Sequence, residues 1–400
     1  MRGPVHMRVL YVISGLTFGG AEKQLVELAK QLAEQGHEIA IYTLNRDVQR
    51  KPELASSAVT LIVDQKRAKL DLAVLWRLRR TINRWQPDIV HGFLFDGDFY
   101  SRVAALGSGI PVLNSERSHN YRLSPTQNLA HRLTRVLARG VVANSFAGKA
   151  FAQRLFALPS GHVHVVGNGL RLENLERQAE TGTDYRIVFF GERHLRIGCL
   201  VGAIKPAKDY HLALETAARL IAADSGWRVL FVGDQLSASG AYQAGRESDT
   251  GDYKAGVLRH HERLGLSDKI KFAGLRTDVP AILRQCDVLY VTSRHEGFPN
   301  GVLEAMGLGV PVVSTEYSDI RRILPFPWQV VASRSPDDLA RAVIAAHAQR
   351  EAITARQKQW VIANATIEKA ASELENVYRK YINSDQKLSL RARPPKWTSR

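Results

Sequence analysis

Val288–Thr292 reads VLYVT. It is followed by Arg294–Met306, RHEGFPNGVLEAM, and then by Gly309–Ser314, GVPVVS. The first run is short, apolar and rich in β-formers, as a buried strand is. Gly297, Pro299, Asn300 and Gly301 make a turn, and the residues after it open a helix for which Asn300 is placed as N-cap. A second apolar run at Pro311–Ser314 then supplies the next strand. Strand, turn, helix and strand in this order build a parallel sheet, and ligands of such sheets bind in the crevice beyond the strands' carboxyl ends. Two carboxylates, Glu296 and Glu304, eight positions apart, flank the turn. The segment therefore aims two acids and several backbone amides at one crevice.

Working outward, the same alternation runs through both halves. In the second half strands read at Gly198–Ile204, Arg228–Val232, Ile270–Phe272, Val288–Thr292, Pro311–Ser314 and Gln329–Ala332. In the first half they read at Arg8–Ile13, Glu38–Thr43, Val59–Val63, Asp88–His91, Pro111–Asn114, Val141–Asn144 and His162–Val166, with helical patterns between them. The class is α/β with two doubly wound, Rossmann-like domains. Residues 1–170 form the first and 194–352 the second, and 171–193 is read as a polar linker. Tyr185–Arg193 looks strand-like but has no place in the pattern. A continuous helix is expected over about Ile353–Tyr381, within a 353–384 segment returning to the first domain. Residues 385–400 read as a disordered basic tail.

The 400 residues suffice for two or three proper cores, and 45% hydrophobic content fits a soluble globular chain. Cys199 and Cys286 sit in or beside apolar runs, which favours buried thiols and a reducing cytoplasm over a disulfide scaffold. No stretch reaches the ~18–20 apolar residues of a spanning helix. The formal net charge of +16 favours anionic partners. On the helix-like pattern Thr126–Arg139, whose helix is read at Thr126–Ala138, Arg132, Arg135 and Arg139 share a face beside Leu129, Leu133, Val136 and Leu137. This helix suits either solvent or an anionic membrane surface, and localisation is then cytoplasmic or peripheral on the inner face of the cell membrane. No nucleic-acid motif or aromatic interleaving accompanies the charge.

Glu304 alone needs no function, because an acid near a helix start is stabilised electrostatically. The setting adds more. Helix-start amides suit phosphate, and a carboxylate can accept from two vicinal hydroxyls. Donors for phosphate beside acceptors for hydroxyls suit a sugar nucleotide.

The spacing from Glu296 to Glu304 is an E-x7-E motif, and its setting resembles the retaining glycosyltransferases of family 4, the group-1 glycosyl transferases. The resemblance extends through Gly19-Gly20-Ala21-Glu22, Gly36-His37-Glu38, Asp88-Ile-Val-His91, Ala143-Asn144-Ser145, Gly167-Asn168-Gly169 and Lys205-Pro-Ala-Lys208-Asp209. It implies the GT-B fold, with a cleft between the domains. It also implies hexosyl transfer with retained configuration from a nucleotide sugar, expected to be a UDP-sugar, to a hydroxyl of a saccharide or lipid-linked acceptor in polysaccharide assembly. No metal or other cofactor is implied.

Carried onto this chain, Glu296 contacts the donor hexose and Glu304 the ribose. Gly297, Phe298, Pro299 and Asn300 face sugar and phosphate, Lys208 reaches the diphosphate, and Gly19 and Gly20 approach the donor phosphates. The family's arginine partner to Lys208 is absent, since Ala203 stands in its place, and Lys205 is the candidate substitute. On the acceptor side the family's histidine position holds Arg117, and His119 follows two residues later. Both are candidate catalytic or acceptor-lining groups, with His91 a weaker one. These departures keep two rivals in view: a silent subunit that only binds sugar nucleotide or a partner, and a nucleotide-sugar epimerase.

Overall fold

A computed structural model describes residues 6–118, 123–235 and 247–386. The chain divides into two compact units. One takes the chain up to Gly169 and again from Ile367, and the other runs from Leu170 to Thr366.

The first unit holds seven parallel strands: β1 (Arg8–Ile13), β2 (Glu38–Thr43), β3 (Thr60–Val63), β4 (Ile89–Phe93), β5 (Val112–Glu116), β6 (Gly140–Ala143) and β7 (Val163–Val165). Their order is β3-β2-β1-β4-β5-β6-β7. Every residue of β1 is buried, as expected of a strand covered on both faces. Its odd-numbered side chains Val9, Tyr11 and Ile13 join the core under the Gly20–Glu34 helix, and Leu10 and Val12 join the core on the other face.

The second unit holds β8 (Arg196–Val201), β9 (Trp227–Val232), β10 (Ile270–Gly274), β11 (Val288–Val291), β12 (Val312–Thr315) and β13 (Val330–Val331). Their order is β10-β9-β8-β11-β12-β13, again all parallel. Ile197, Cys199, Leu289 and Val291 bury on one face, and Leu200, Val288 and Tyr290 on the other. In both sheets the order reverses direction at the first strand, β1 or β8. That reversal leaves a crevice between β1 and β4, and between β8 and β11.

Three stretches differ from the sequence reading. Tyr185–Phe190 is a helix, not strand-like. Asp184 caps it by accepting from the Arg186 and Ile187 amides, and Gly191 ends it at φ +74°. The expected polar linker also contains the helix Leu172–Ala179, whose Leu175 and Ala179 enter the second unit's core. The expected continuous terminal helix is two, Arg350–Asn364 and Ile367–Gln386. At the break the Ala365 carbonyl accepts from the Leu170 amide instead of continuing the helix. Ile353 and Val361 of the first piece bury in the second unit's cores, whereas Ile367, Leu374, Val377 and Tyr378 of the second piece bury in the first unit's.

The Pro125–Thr134 helix buries only His131. Cys199 and Cys286 are both buried and unpaired. Among the described residues no helix is long and apolar enough to cross a membrane. The basic tail beyond Gln386 lies outside the described residues.

Candidate active site

The second unit's crevice is lined from two loops. One leaves β8 and runs Gly202–Asp209, and the other leaves β11 and runs Thr292–Pro299. Lys208 Nζ and Glu296 Oε1 form an ion pair at 2.5 Å, with the two side chains 16% and 15% exposed. Ser293 Oγ donates to the same Glu296 oxygen at 2.9 Å. Burial pushes the Glu296 carboxyl up, but Lys208, Lys205 and the hydrogen bonds from Lys208 and Ser293 outweigh it and hold the group below the usual carboxylate range. Lys205 is exposed as a residue, yet desolvation lowers its ammonium; Glu296 opposes that shift and Lys208 adds to it. The two lysines and Glu296 thus act on one another as a cationic pair around one anion.

Glycine makes this pairing possible. Gly202 adopts φ +156°, and a Cβ there would stand 2.7 Å from Lys208 Cε. The bare backbone lets the lysine stem cross. At Gly301, by contrast, a Cβ would meet only Val201 at an ordinary 3.8 Å, so the protein itself leaves room there.

A polar network fixes the two loops to each other. Asp209, at φ +50°, caps the Tyr210–Ala223 helix by accepting from the Leu212 amide. Its Oδ2 also accepts from Arg294 Nε at 2.9 Å and Arg334 Nη2 at 2.6 Å. Arg334 donates further to the Ser293 and Thr292 carbonyls. Thr292 Oγ1 donates to the Lys208 carbonyl at 2.7 Å, and the Arg294 amide to the Ala207 carbonyl at 2.8 Å. Asp209 is buried, so its charge is compensated by two guanidiniums rather than by water. The sequence reading placed Asp209 within the Lys205–Asp209 run and missed Ser293, Thr292 and Arg334. Arg334 lies 38 residues beyond Glu296, with no local signal linking them.

The helix Asn300–Gly307 starts one residue earlier than anticipated: Pro299 occupies the N-cap position and makes no side-chain cap, and Asn300 is the first helical residue. Glu304 therefore falls beyond the first turn, where the helix dipole has faded. It is nevertheless buried. Helix-start electrostatics therefore does not account for the placement of that acid. Phe298 packs on the second unit's core, and the Gly297 carbonyl accepts from Ser318 Oγ at 3.2 Å.

In the first unit, Gly19 is the N-cap and Gly20 the first residue of the Gly20–Glu34 helix. The Glu22 carboxylate folds back over Gly19: a Cβ there would meet it at 2.1 Å. Thr17 Oγ1 donates to Glu22 at 3.0 Å. Burial raises the Glu22 carboxyl despite that bond.

His91 does not end its strand. It lies inside β4, where its Nδ1 bonds Tyr378 Oη at 2.6 Å and its Nε2 bonds Ser115 Oγ at 2.9 Å. Burial, with Arg117 adding to it, pushes the imidazole down to about 3, so it stays neutral at physiological pH. Both nitrogens are committed internally, which makes His91 structural. Arg117 follows β5 directly and lies over the Phe93 ring at 5.5 Å. His119 lies outside the described residues.

Comparison with known proteins decides the family. The model of Glycosyltransferase Family 4 matches residues 18–174, and that of Glycosyl transferases group 1 matches 194–349. The chain belongs to the family 4, group 1 glycosyltransferases. Its fold is GT-B, with two Rossmann-like domains. The Anabaena protein HepE in complex with UDP-glucose superposes with a TM-score of 0.76 at 19% identity, covering 94% of this chain and 100% of that one. D-inositol 3-phosphate glycosyltransferase of Streptosporangium roseum is 24% identical over 81% of this chain and 79% of its own length. UDP-Gal:alpha-D-GlcNAc-diphosphoundecaprenol alpha-1,3-galactosyltransferase of Escherichia coli is 22% identical over 61% of each chain. Within this family 4 chain, the Lys208–Glu296 pair lies at the topological switch point of the second domain.

Proposed function

We propose that the chain transfers a hexosyl group from a UDP-sugar to a hydroxyl of a saccharide or lipid-linked acceptor, with retention and without a divalent metal. The observation that carries this is the partly buried Lys208–Glu296 pair beyond β8 and β11, next to the helix that begins at Asn300. A diphosphate entering there meets Lys208 as a point charge and Lys205 as a second cation. The helix start offers amides and a favourable dipole to the same anion. Lys205 takes up the charge that Ala203 cannot supply. Glu296, held ionised by the lysines, accepts from hydroxyls of the donor hexose, and Glu304 accepts from the ribose.

In the structure Glu296 pairs with Lys208. Donor binding exchanges that partner for phosphate and leaves Glu296 with the sugar. As the bond to the leaving phosphate breaks, the lysines stabilise the charge that grows on the diphosphate. The acceptor hydroxyl attacks from the leaving-group face, so Glu296 need not become a covalent nucleophile, unlike the carboxylate of a retaining glycosidase. A uridine donor and a lipid-linked acceptor agree with what the names of HepE's complex and the galactosyltransferase state for those proteins.

The first domain adds a place to work. The expected helix Thr126–Ala138 is the shorter Pro125–Thr134 followed by a 3-10 turn at Arg135–Leu137; Leu129 and Leu133 of the helix and Val136 of the turn are 60%, 69% and 76% exposed, with Arg132 and Arg139 exposed nearby in the chain. An anionic bilayer surface matches both the apolar stripe and the charge.

The test is a nucleotide-sugar panel with purified protein, read by thermal shift and by release of the free nucleotide, in the presence and absence of EDTA. A UDP-sugar should stabilise the protein and turn over slowly by hydrolysis in either condition. Stabilisation without any turnover would favour the silent subunit that Ala203 suggests. Dependence on a metal would remove the lysine-based mechanism.

A further inference from the structure

Arg117 is the one guanidinium of the first domain's β4–β5 end whose recognition edge has no user among the described residues. Its Nε and Nη2 are shielded from solvent and make no hydrogen bond. These two nitrogens form the side-on edge of the guanidinium, the pair of parallel N–H groups that grips two coplanar oxygens at once. What touches the group is the Phe93 face, and Glu116 and the hydroxyls of Tyr11 and Tyr378 act on it electrostatically. Burial outweighs these and pushes Arg117 down to about 10, still protonated at neutral pH. Glu116 does not close the fork: its Oε1 accepts from the Ser118 amide at 3.0 Å. His91 is neutral and already bonded on both sides. Beside Arg117, Asn144 Nδ2 donates to the Arg117 carbonyl at 3.4 Å while its Oδ1 has no donor.

A buried charge with an unused fork is a cost that native proteins seldom carry without a reason. Neutral or apolar residues would fill the space beside Phe93 more cheaply. Because no hydrogen bond pins the fork, and the residue keeps partial exposure, the side chain can turn to an incoming group.

We propose that Arg117 seats an oxyanion carried by the acceptor: a phosphate or a carboxylate, on a molecule that also presents a hydroxyl. This narrows the acceptor class to anionic sugars or sugar-phosphate compounds, and it rests on the glycosyl-transfer reading of the chain. Arg117 is here a specificity-determining residue that holds the acceptor, and the donor site lies on the other domain's residues.

The experiment compares wild type, Arg117→Met and Arg117→Lys in titrations with sodium phosphate and with sodium acetate at constant ionic strength, followed by calorimetry and thermal shift. UDP is titrated separately into each protein. Wild type should bind one of the two anions. The Met variant should lose that response, and Lys, a point charge without a fork, should weaken it at least about tenfold. UDP affinity should be the same in all three. Response to phosphate alone marks a phosphorylated acceptor, and response to acetate alone an acidic sugar. With no anion present, Arg117→Met should melt higher than wild type, because it removes a desolvated charge whose fork makes no hydrogen bond. If the Met variant does not fold, the Lys variant decides. The proposal fails if wild type binds neither anion, or if the variants bind them as wild type does. Failure of UDP to bind wild type would instead overturn the donor reading, and the Arg117-dependent response would still be read on its own.

Discussion

The carboxyl ends of β8 and β11 flank the reversal of one sheet, those of β4 and β5 lie at the reversal of the other and one strand beyond it, and the two are finished in opposite ways. In the second domain Lys208 pairs with Glu296, and Asp209 with Arg294 and Arg334. In the first domain the buried histidine is neutral and bonded on both sides, and the guanidinium beside it keeps an open fork. The same topology therefore supports one set of charges that satisfy one another and a second set in which a guanidinium edge makes no hydrogen bond. Strand order fixes where a crevice forms. Which side chains reach it, and whether they satisfy one another, decides what it does.

The comparison breaks most easily at Asp209. Asp209→Ala should cost about 2–3 kcal/mol of stability, since it removes a helix cap and the acceptor shared by two partly exposed arginines. Urea unfolding measures this, and a loss below about 1 kcal/mol would show that the loops are not held by that network. Glu296→Ala should leave the fold intact and cut transfer by roughly 10²–10³-fold. A nearly intact steady-state rate would reject its contact with the donor sugar. Glu304→Ala should weaken UDP binding by about 10–100-fold, or roughly 1.4–2.7 kcal/mol, by calorimetry. Unchanged affinity would return this acid to a packing role.

On the other side, Tyr378→Phe removes the hydroxyl that bonds His91 and donates to Tyr11 at 3.1 Å. It should cost about 1 kcal/mol, with no pH dependence between pH 5 and 8, because His91 titrates far below that window.

The smallest effect concerns acid. The Glu296 carboxyl is depressed in the folded protein, so its contribution is present above the unfolded carboxyl value of about 4.3 and is lost as pH falls through the folded value. Wild type should therefore lose stability more steeply below about pH 4.3 than Glu296→Gln does, by less than about one proton in slope. Equal slopes would mean that Glu296 is not held by the lysines.

Much of this was legible in the chain. Buried parallel strands read as continuous apolar runs, and β1, β8, β11 and β12 were visible for that reason. The helix Leu172–Ala179 was missed because its apolar residues are few and fall in a polar stretch. The break between Asn364 and Ile367 was missed because neither Gly nor Pro marks it; a carbonyl given over to Leu170 does. Lys208 and Glu296 were legible as candidates, each beyond a strand, but their direct pairing was not. They are 88 residues apart, and only the adjacency of β8 and β11 joins them.

The sequence by itself determined the repeated strand–helix order, the family to which the chain belongs, and the loops that carry the acids and lysines, because periodicity and turn chemistry are local. Only the tertiary structure decided that Glu304 is buried beyond the reach of helix capping, that Arg334 and Arg294 share Asp209, and that the Arg117 fork is unused. Burial and hydrogen-bond satisfaction depend on residues far apart in the chain. No local pattern records whether a charge has found its partner.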